Sequence, residues 1–246
     1  MDTWRSTTRR AAALSLITLS GVLVATSPAA AAPTGPDVSS WQHTGASPID
    51  WFAVKRSGHN FAMVKATEGL SYVNPYFVPD SLLMRAAGLA RGTYHYARPN
   101  LPPEPQAAMY AAVVLGQNGP LDLPPVLDLE DSGGLAPAAL INWTRRYLTT
   151  VQALTGRVPI VYTYPNFWRT AMADTSEFSE YPLWIADYRG NAQPEVPGGW
   201  PAWTFWQTTD SGSIPGISGR VDLNVYSGAQ GDFARYANMS GGTGSG

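Results

Sequence analysis

From residue 37 onward the chain alternates short β-branched and aromatic runs with stretches of helical spacing, and this alternation narrows the fold more than any other feature. Strands are predicted at 37–41, 61–67, 92–97, 125–130, 158–163, 183–187, 204–207 and 221–225, with turn residues nearby. Helices are predicted between the early strands, at 50–57, 75–87, 105–118, 137–154 and 165–172. In the fourth helix Ala138, Ile141, Tyr147, Leu148, Val151 and Leu154 recur at roughly helical spacing. Pro137 suits a first helical turn, where its missing N–H costs nothing. After residue 173 the helical pattern fades and strands joined by loops remain. Strand–helix alternation implies parallel strands with crossovers. Eight strands and about five helices predict an α/β fold, a TIM-like barrel left incomplete on its helical side.

The N-terminus reads differently. Arg5, Arg9 and Arg10 precede a mostly apolar run from Ala11 to Ala25, and Ser27-Pro28-Ala29-Ala30-Ala31-Ala32 follows. This order is that of a secretory signal peptide, cleaved near Ala32. The apolar run is shorter than the ~20 residues a membrane span needs. A secreted product without stable membrane association is expected. The tail 239–246 is rich in Gly, Ser and Thr and is expected to be flexible.

Composition removes several chemistries. The chain has no Cys, so a disulfide framework, a zinc–thiolate site and a thiol nucleophile are excluded. A net charge of −2 argues against a nucleic-acid binder with a basic face. His43, His59 and His95 lack metal-ligand spacing, so no metal and no cofactor is expected.

Pro124-Pro125-Val126-Leu127-Asp128-Leu129-Glu130-Asp131 is the most informative stretch. Alternate residues of a strand share a face. Asp128 and Glu130 would therefore face the barrel axis, at the C-terminal strand end where barrel active sites lie, while Leu127 and Leu129 would meet helices. Residues two apart on a strand have Cα atoms about 6.6–6.8 Å apart. Two carboxyls so close raise the pKa of at least one, and a Glu protonated at neutral pH is a general acid. Asp131 and Ser132 are better placed as caps of the next helix. Asp37 opens the first predicted strand and Asp222 lies in the last; a closed barrel makes those strands neighbours, so Asp37, Asp128, Glu130 and Asp222 can converge.

Nine stretches carry a resemblance when taken in order: Asp37-Val-Ser-Ser-Trp-Gln, Ile49-Asp50-Trp51, Val64-Lys65-Ala66-Thr67-Glu68-Gly69, Asn74-Pro75, Gly92-Thr-Tyr94-His95-Tyr96, Leu127-Asp128-Leu129-Glu130, Leu183-Trp184-Ile185-Ala186, Phe205-Trp206-Gln207 and Val221-Asp222-Leu223-Asn224. Together they resemble family 25 of the glycoside hydrolases, the N-acetylmuramidase (lysozyme) type, over essentially all of 36–236. The resemblance implies an irregular barrel of eight strands and five helices. It also implies cleavage of the β-1,4 bond from N-acetylmuramic acid to N-acetylglucosamine in peptidoglycan. Carried over, Glu130 is the general acid with Asp128 beside it, and Asp37 and Asp222 complete the acidic cluster. The expected organisation is a signal peptide at 1–32, a catalytic barrel at 33–238 acting as a monomer, and the tail.

The remaining residues carry weaker expectations. Tyr94, Tyr96, Tyr164, Trp184 and Trp206 are expected to reach the cleft and meet sugar, with core packing the competing role for Tyr164, Trp184 and Trp206. His95 should point the opposite way from Tyr94 and Tyr96, into the core. Lys65 is expected to pair with a buried acid. Asn142-Trp143-Thr144 is a glycosylation sequon, discounted because it falls within a predicted helix. Two other functions keep the same cleft: a chitinase-like glycosidase on N-acetylglucosamine polymers, and a wall-binding module without catalysis.

Overall fold

The computed structural model describes residue 1 and residues 31–44, 48–115 and 122–239. In chain order the elements are β1 (Thr34–Val38), α1 (Trp51–Arg56), β2 (Phe61–Glu68), β3 (Tyr72–Val73), α2 (Phe77–Ala86), β4 (Ala90–Tyr96), α3 (Pro103–Leu115) and β5 (Val126–Asp128). There follow α4 (Pro137–Thr155), β6 (Ile160–Thr163), α5 (Pro165–Ala171), β7 (Leu183–Ala186), β8 (Phe205–Gly212), β9 (Val221–Tyr226) and α6 (Gln230–Met239). Eight strands run in the spatial order β1-β9-β8-β7-β6-β5-β4-β2, and pairing of β1 with β2 closes them into a barrel. The two-residue β3 folds back antiparallel on the end of β2, outside the ring.

Alternation along each strand sorts the core into two layers. Phe61 and Met63 on β2, Val126 on β5, Ile160 on β6 and Phe205 on β8 fill the barrel. Ala62, Val64 and Ala66, Leu127, Val161, Leu183 and Ile185 face outward and pack under the helices. Gly92 makes room for this inner layer: a Cβ there would stand 1.9 Å from Met63 Sδ, so the Met63 side chain would have to move.

Four expectations change. The eight barrel strands are parallel except β9, which is antiparallel to both β8 and β1. Only residues 213–220 join β8 to β9, fewer than the dozen or so that a parallel crossover needs. A sixth helix, α6, follows β9 and plugs the barrel: the Phe233 ring lies 5.4 Å from that of Phe61 and 5.2 Å from that of Tyr226. These rings mark the N-terminal ends of the parallel strands, so the opposite end is left for a site. The first strand ends at Val38, and Ser40–Gln42 form a 3-10 turn. The buried stripe of α4 is Leu140, Trp143, Thr144, Tyr147, Leu148 and Val151; Ala138 and Leu154 face out, the stripe being set by the Trp143 and Thr144 positions. Gly156, at φ 69°, ends this helix in the left-handed conformation. The predicted signal peptide up to residue 30, the last three residues of the third predicted helix, and the tail beyond Met239 lie outside the described residues.

Candidate active site

The last hydrogen-bonded rung of β5 ends at Asp128, and Glu130 stands just beyond it at the barrel's C-terminal rim. Leu127 and Leu129 are fully buried in the outer layer, as their alternation requires. Asp37 is the penultimate residue of β1, and Asp222 is the second residue of the reversed β9. The two face each other as Cα partners. Reversal of β9 thus brings its beginning, not its end, to the rim. Asp37, Asp128, Glu130 and Asp222 line one cavity of about 180 Å³.

Each acid has a distinct environment. Asp37 is 5% exposed, and its Oδ2 accepts N–H bonds from Gln207 at 2.7 Å and Asn224 at 2.8 Å. Burial raises its pKa, and those donors oppose the rise. Asp222 is pushed up to about 8 by burial, then by the charge of Asp37 and a hydrogen bond with it. Asp128 is 6% exposed, and its Oδ1 is buried without a hydrogen-bond partner among the described residues. Burial and then the charge of Glu130 raise Asp128 well above the usual carboxylate range, against Lys65. Glu130 is also raised, chiefly by burial, with Lys65 opposing and Asp222 adding. Burial therefore favours the neutral carboxyl at both members of the Asp-x-Glu pair.

A chain of charges borders the pair. Lys65 projects into the cavity, pairs with the half-buried Glu68 and lies 4.6 Å from the centre of the Tyr96 ring. Arg98 continues the chain, donating from Nε to Glu68 at 3.0 Å and from Nη1 to Asp131 at 3.2 Å. Asp131 and Ser132 accept from Gly133 and Gly134, so they cap the 131–134 turn and not α4. His95 is fully buried between Thr67, at 2.7 Å, and Gln106, at 3.1 Å. Burial lowers its pKa to about 4, so it remains neutral in the core.

Of the aromatic residues expected at the cleft, Tyr94, Tyr96 and Trp184 line the cavity. Trp184 is its floor, 2% exposed, with its indole N–H committed to Asn224 at 2.8 Å. Tyr164 lines a second cavity of about 400 Å³, which shares Glu130 and Tyr162 with the first, so Glu130 stands where the two meet. Trp206 does not reach the cleft. Its neighbours Phe205 and Gln207 take the inner face of β8, so Trp206 turns outward beside Trp203 and donates to the Asp187 carbonyl at 2.9 Å. The sequence reading gave no role to Gln207, Asn224, Tyr188 or Trp41, although all but Tyr188 lie in the stretches that carry the resemblance. Trp41 is 84% exposed at the cavity rim, presented by the 3-10 turn. Its signal was legible as Ser39-x-x-Gln42: Ser39 Oγ accepts from the Trp41 N–H at 3.3 Å and Gln42 Oε1 from the Ser39 N–H at 2.8 Å, a capping box.

A closed barrel with an acid-lined, aromatic-walled cleft at its C-terminal rim has the layout of a glycoside hydrolase, and similarity to known proteins places the chain in that class. The family model "Glycosyl hydrolases family 25" matches residues 36–217, stopping short of Asp222. Lysozyme M1 of Streptomyces globisporus is 36% identical over 213 residues, covering 83% of this chain and 71% of that protein. The N,O-diacetylmuramidase of a Chalaropsis species is 34% identical over 207 residues, 76% of this chain and 95% of that one. Among solved structures, the bacterial lysozyme from Streptomyces coelicolor aligns with a TM-score of 0.77 at 33% identity, over 85% of this chain and 99% of that chain. The chain belongs to family 25 of the glycosyl hydrolases.

Proposed function

We propose that the protein is a secreted peptidoglycan hydrolase that cleaves the β-1,4 bond between N-acetylmuramic acid and N-acetylglucosamine, with Glu130 as the general acid. The observation that carries this reading is the position of Glu130, a buried carboxyl with a raised pKa at the junction of two cavities. A sugar chain lying across both would set its glycosidic oxygen beside that proton. As the bond breaks, positive charge grows on the sugar. The acetamido oxygen of muramic acid can attack the anomeric carbon, and Asp128 orients and stabilises that group. Support comes from its unpartnered Oδ1: an unmet buried acceptor costs about 1–3 kcal/mol, and an acetamido N–H would meet it. One strand supplies both acids, which leaves little room for Asp128 as an in-line nucleophile. A sugar trapped covalently on Asp128 overturns this part of the mechanism.

Export through a cleaved signal peptide, a monomeric state and binding of peptidoglycan by Tyr94, Tyr96, Tyr164 and Trp184 complete the reading. Mass spectrometry of digested peptidoglycan is the test. Muramic acid at the new reducing ends is the expected result, and N-acetylglucosamine there sinks the assignment. Glu130→Gln keeps the shape and removes the acid, with an expected loss of about 10²–10⁴-fold. Unimpaired release by a folded Glu130→Gln variant removes Glu130 from its role.

A further inference from the structure

The hydrogen bonds beneath the cleft have a direction. The Trp184 indole can only donate, and it donates to Asn224 Oδ1 at 2.8 Å. The Gly35 carbonyl can only accept, and it accepts from Asn224 Nδ2 at 3.2 Å. Asn224 therefore cannot turn over, and the same nitrogen donates to Asp37 Oδ2. Gln207 brings a second N–H to that oxygen, while its own Oε1 accepts the hydroxyls of Tyr162, at 2.9 Å, and Tyr188. Two N–H groups thus converge on one oxygen of Asp37. Asp222 has Asp37 as its hydrogen-bond partner and no N–H donor among the described residues.

Two carboxyls in hydrogen-bond contact do not both ionise at neutral pH. A charge-assisted N–H bond favours the ionised acceptor. We propose that Gln207 and Asn224 are positioning residues that hold Asp37 as the carboxylate and so confine the single proton of the Asp37–Asp222 pair to Asp222. The lift that burial and Asp37 give to Asp222 agrees in direction. The pair then carries one negative charge, fixed on its deeper member. The use of that charge, as a counter-charge beneath a cationic sugar, rests on the function proposed above; the location of the proton does not.

The other ionisable groups that bear on the pair are Asp128 at the end of β5 and Glu130 beyond it, Lys65 on β2, Asp210 on β8 and the phenols of Tyr94 on β4, Tyr162 on β6 and Tyr188 after β7. All are retained in the variants below except the Tyr188 phenol in Tyr188→Phe, which burial keeps neutral over the range titrated, so they form a constant background.

The test is a carboxyl ¹³C NMR titration of the whole protein without substrate. Asp37→Asn and Asp222→Asn variants assign the two resonances. Asp37 should be ionised and Asp222 protonated at neutral pH. Gln207→Met removes one donor from Asp37 and should raise the pH at which Asp37 ionises by about one to two units, the worth of a charge-assisted hydrogen bond. The alkaline step of Asp222 should stay in place, because the donors stabilise Asp37 equally before and after Asp222 loses its proton. Tyr188→Phe, at an exposed position, should give a smaller shift of the same sign and serves if Gln207→Met does not fold. A proton resident on Asp37 at neutral pH, or an Asp37 step unmoved in the folded variants, overturns the proposal. A protein that titrates as expected yet releases no sugar overturns the function and leaves the proton on Asp222.

Discussion

A carboxyl that prefers its proton in the folded state binds protons that the unfolded chain has already released. For Asp222, raised from 3.8 to about 8, stability is fully present below the unfolded pKa and falls as pH rises toward the folded one. Asp222→Asn removes that slope. Denaturant unfolding at a series of pH values should give a flatter stability profile for the variant and a gain over the parent on the alkaline side; parallel profiles would contradict it. At this scale the sequence was readable where chemistry follows local alternation. Asp128 and Glu130 share a face because Leu127 and Leu129 take the other. Gln207 and Asn224 were not readable, because their part is defined only by Asp37, which lies 170 and 187 positions away. Trp206 was misjudged for the reciprocal reason: strand parity puts it opposite Phe205, and only the barrel decides which parity is inside.

At the scale of elements, the Ser40–Gln42 turn does the most for the cleft. A strand continued through Trp41 would hold that ring against a sheet; the capping box ends the strand and lifts the ring to the rim. Tyr72 donates to Ser40 Oγ at 2.9 Å, and the next residue, His43, is tied to Asp80 at 2.8 Å, so the turn is held from both sides. Trp41→Ala should therefore leave stability within about 0.5 kcal/mol, as an exposed change does. It should raise KM on soluble glycan by about fivefold, ~1 kcal/mol, with kcat retained. A fall in kcat at constant KM would place Trp41 in the chemical step instead. The reversal of β9 belongs to this scale too. The predicted strands left 208–220 between them, enough for a crossover; it is the extension of β8 to Gly212 that shortens the link and forces the reversal.

Over the whole molecule, the barrel has a stopped end and an open end. Phe233 and Ala237 of α6 are buried against Phe61, Phe205 and Tyr226, so the helix completes the core. Phe233→Ala should cost about 3–5 kcal/mol, read by denaturant unfolding, while kcat of the folded fraction stays near the parent's because the cavity left is at the far end from Glu130. Loss of turnover without loss of stability would show that the two ends are coupled. The barrel itself was legible from strand count and alternation; α6 was passed over because helices were sought only between the early strands, although Phe233, Tyr236 and Ala237 recur at helical spacing. The seam between β1 and β9 has a temporal meaning. Translation delivers Asp37 with the first strand of the barrel and Asp222 with the last, so the pair cannot form until the seam strand β9 has been made and has closed against β1.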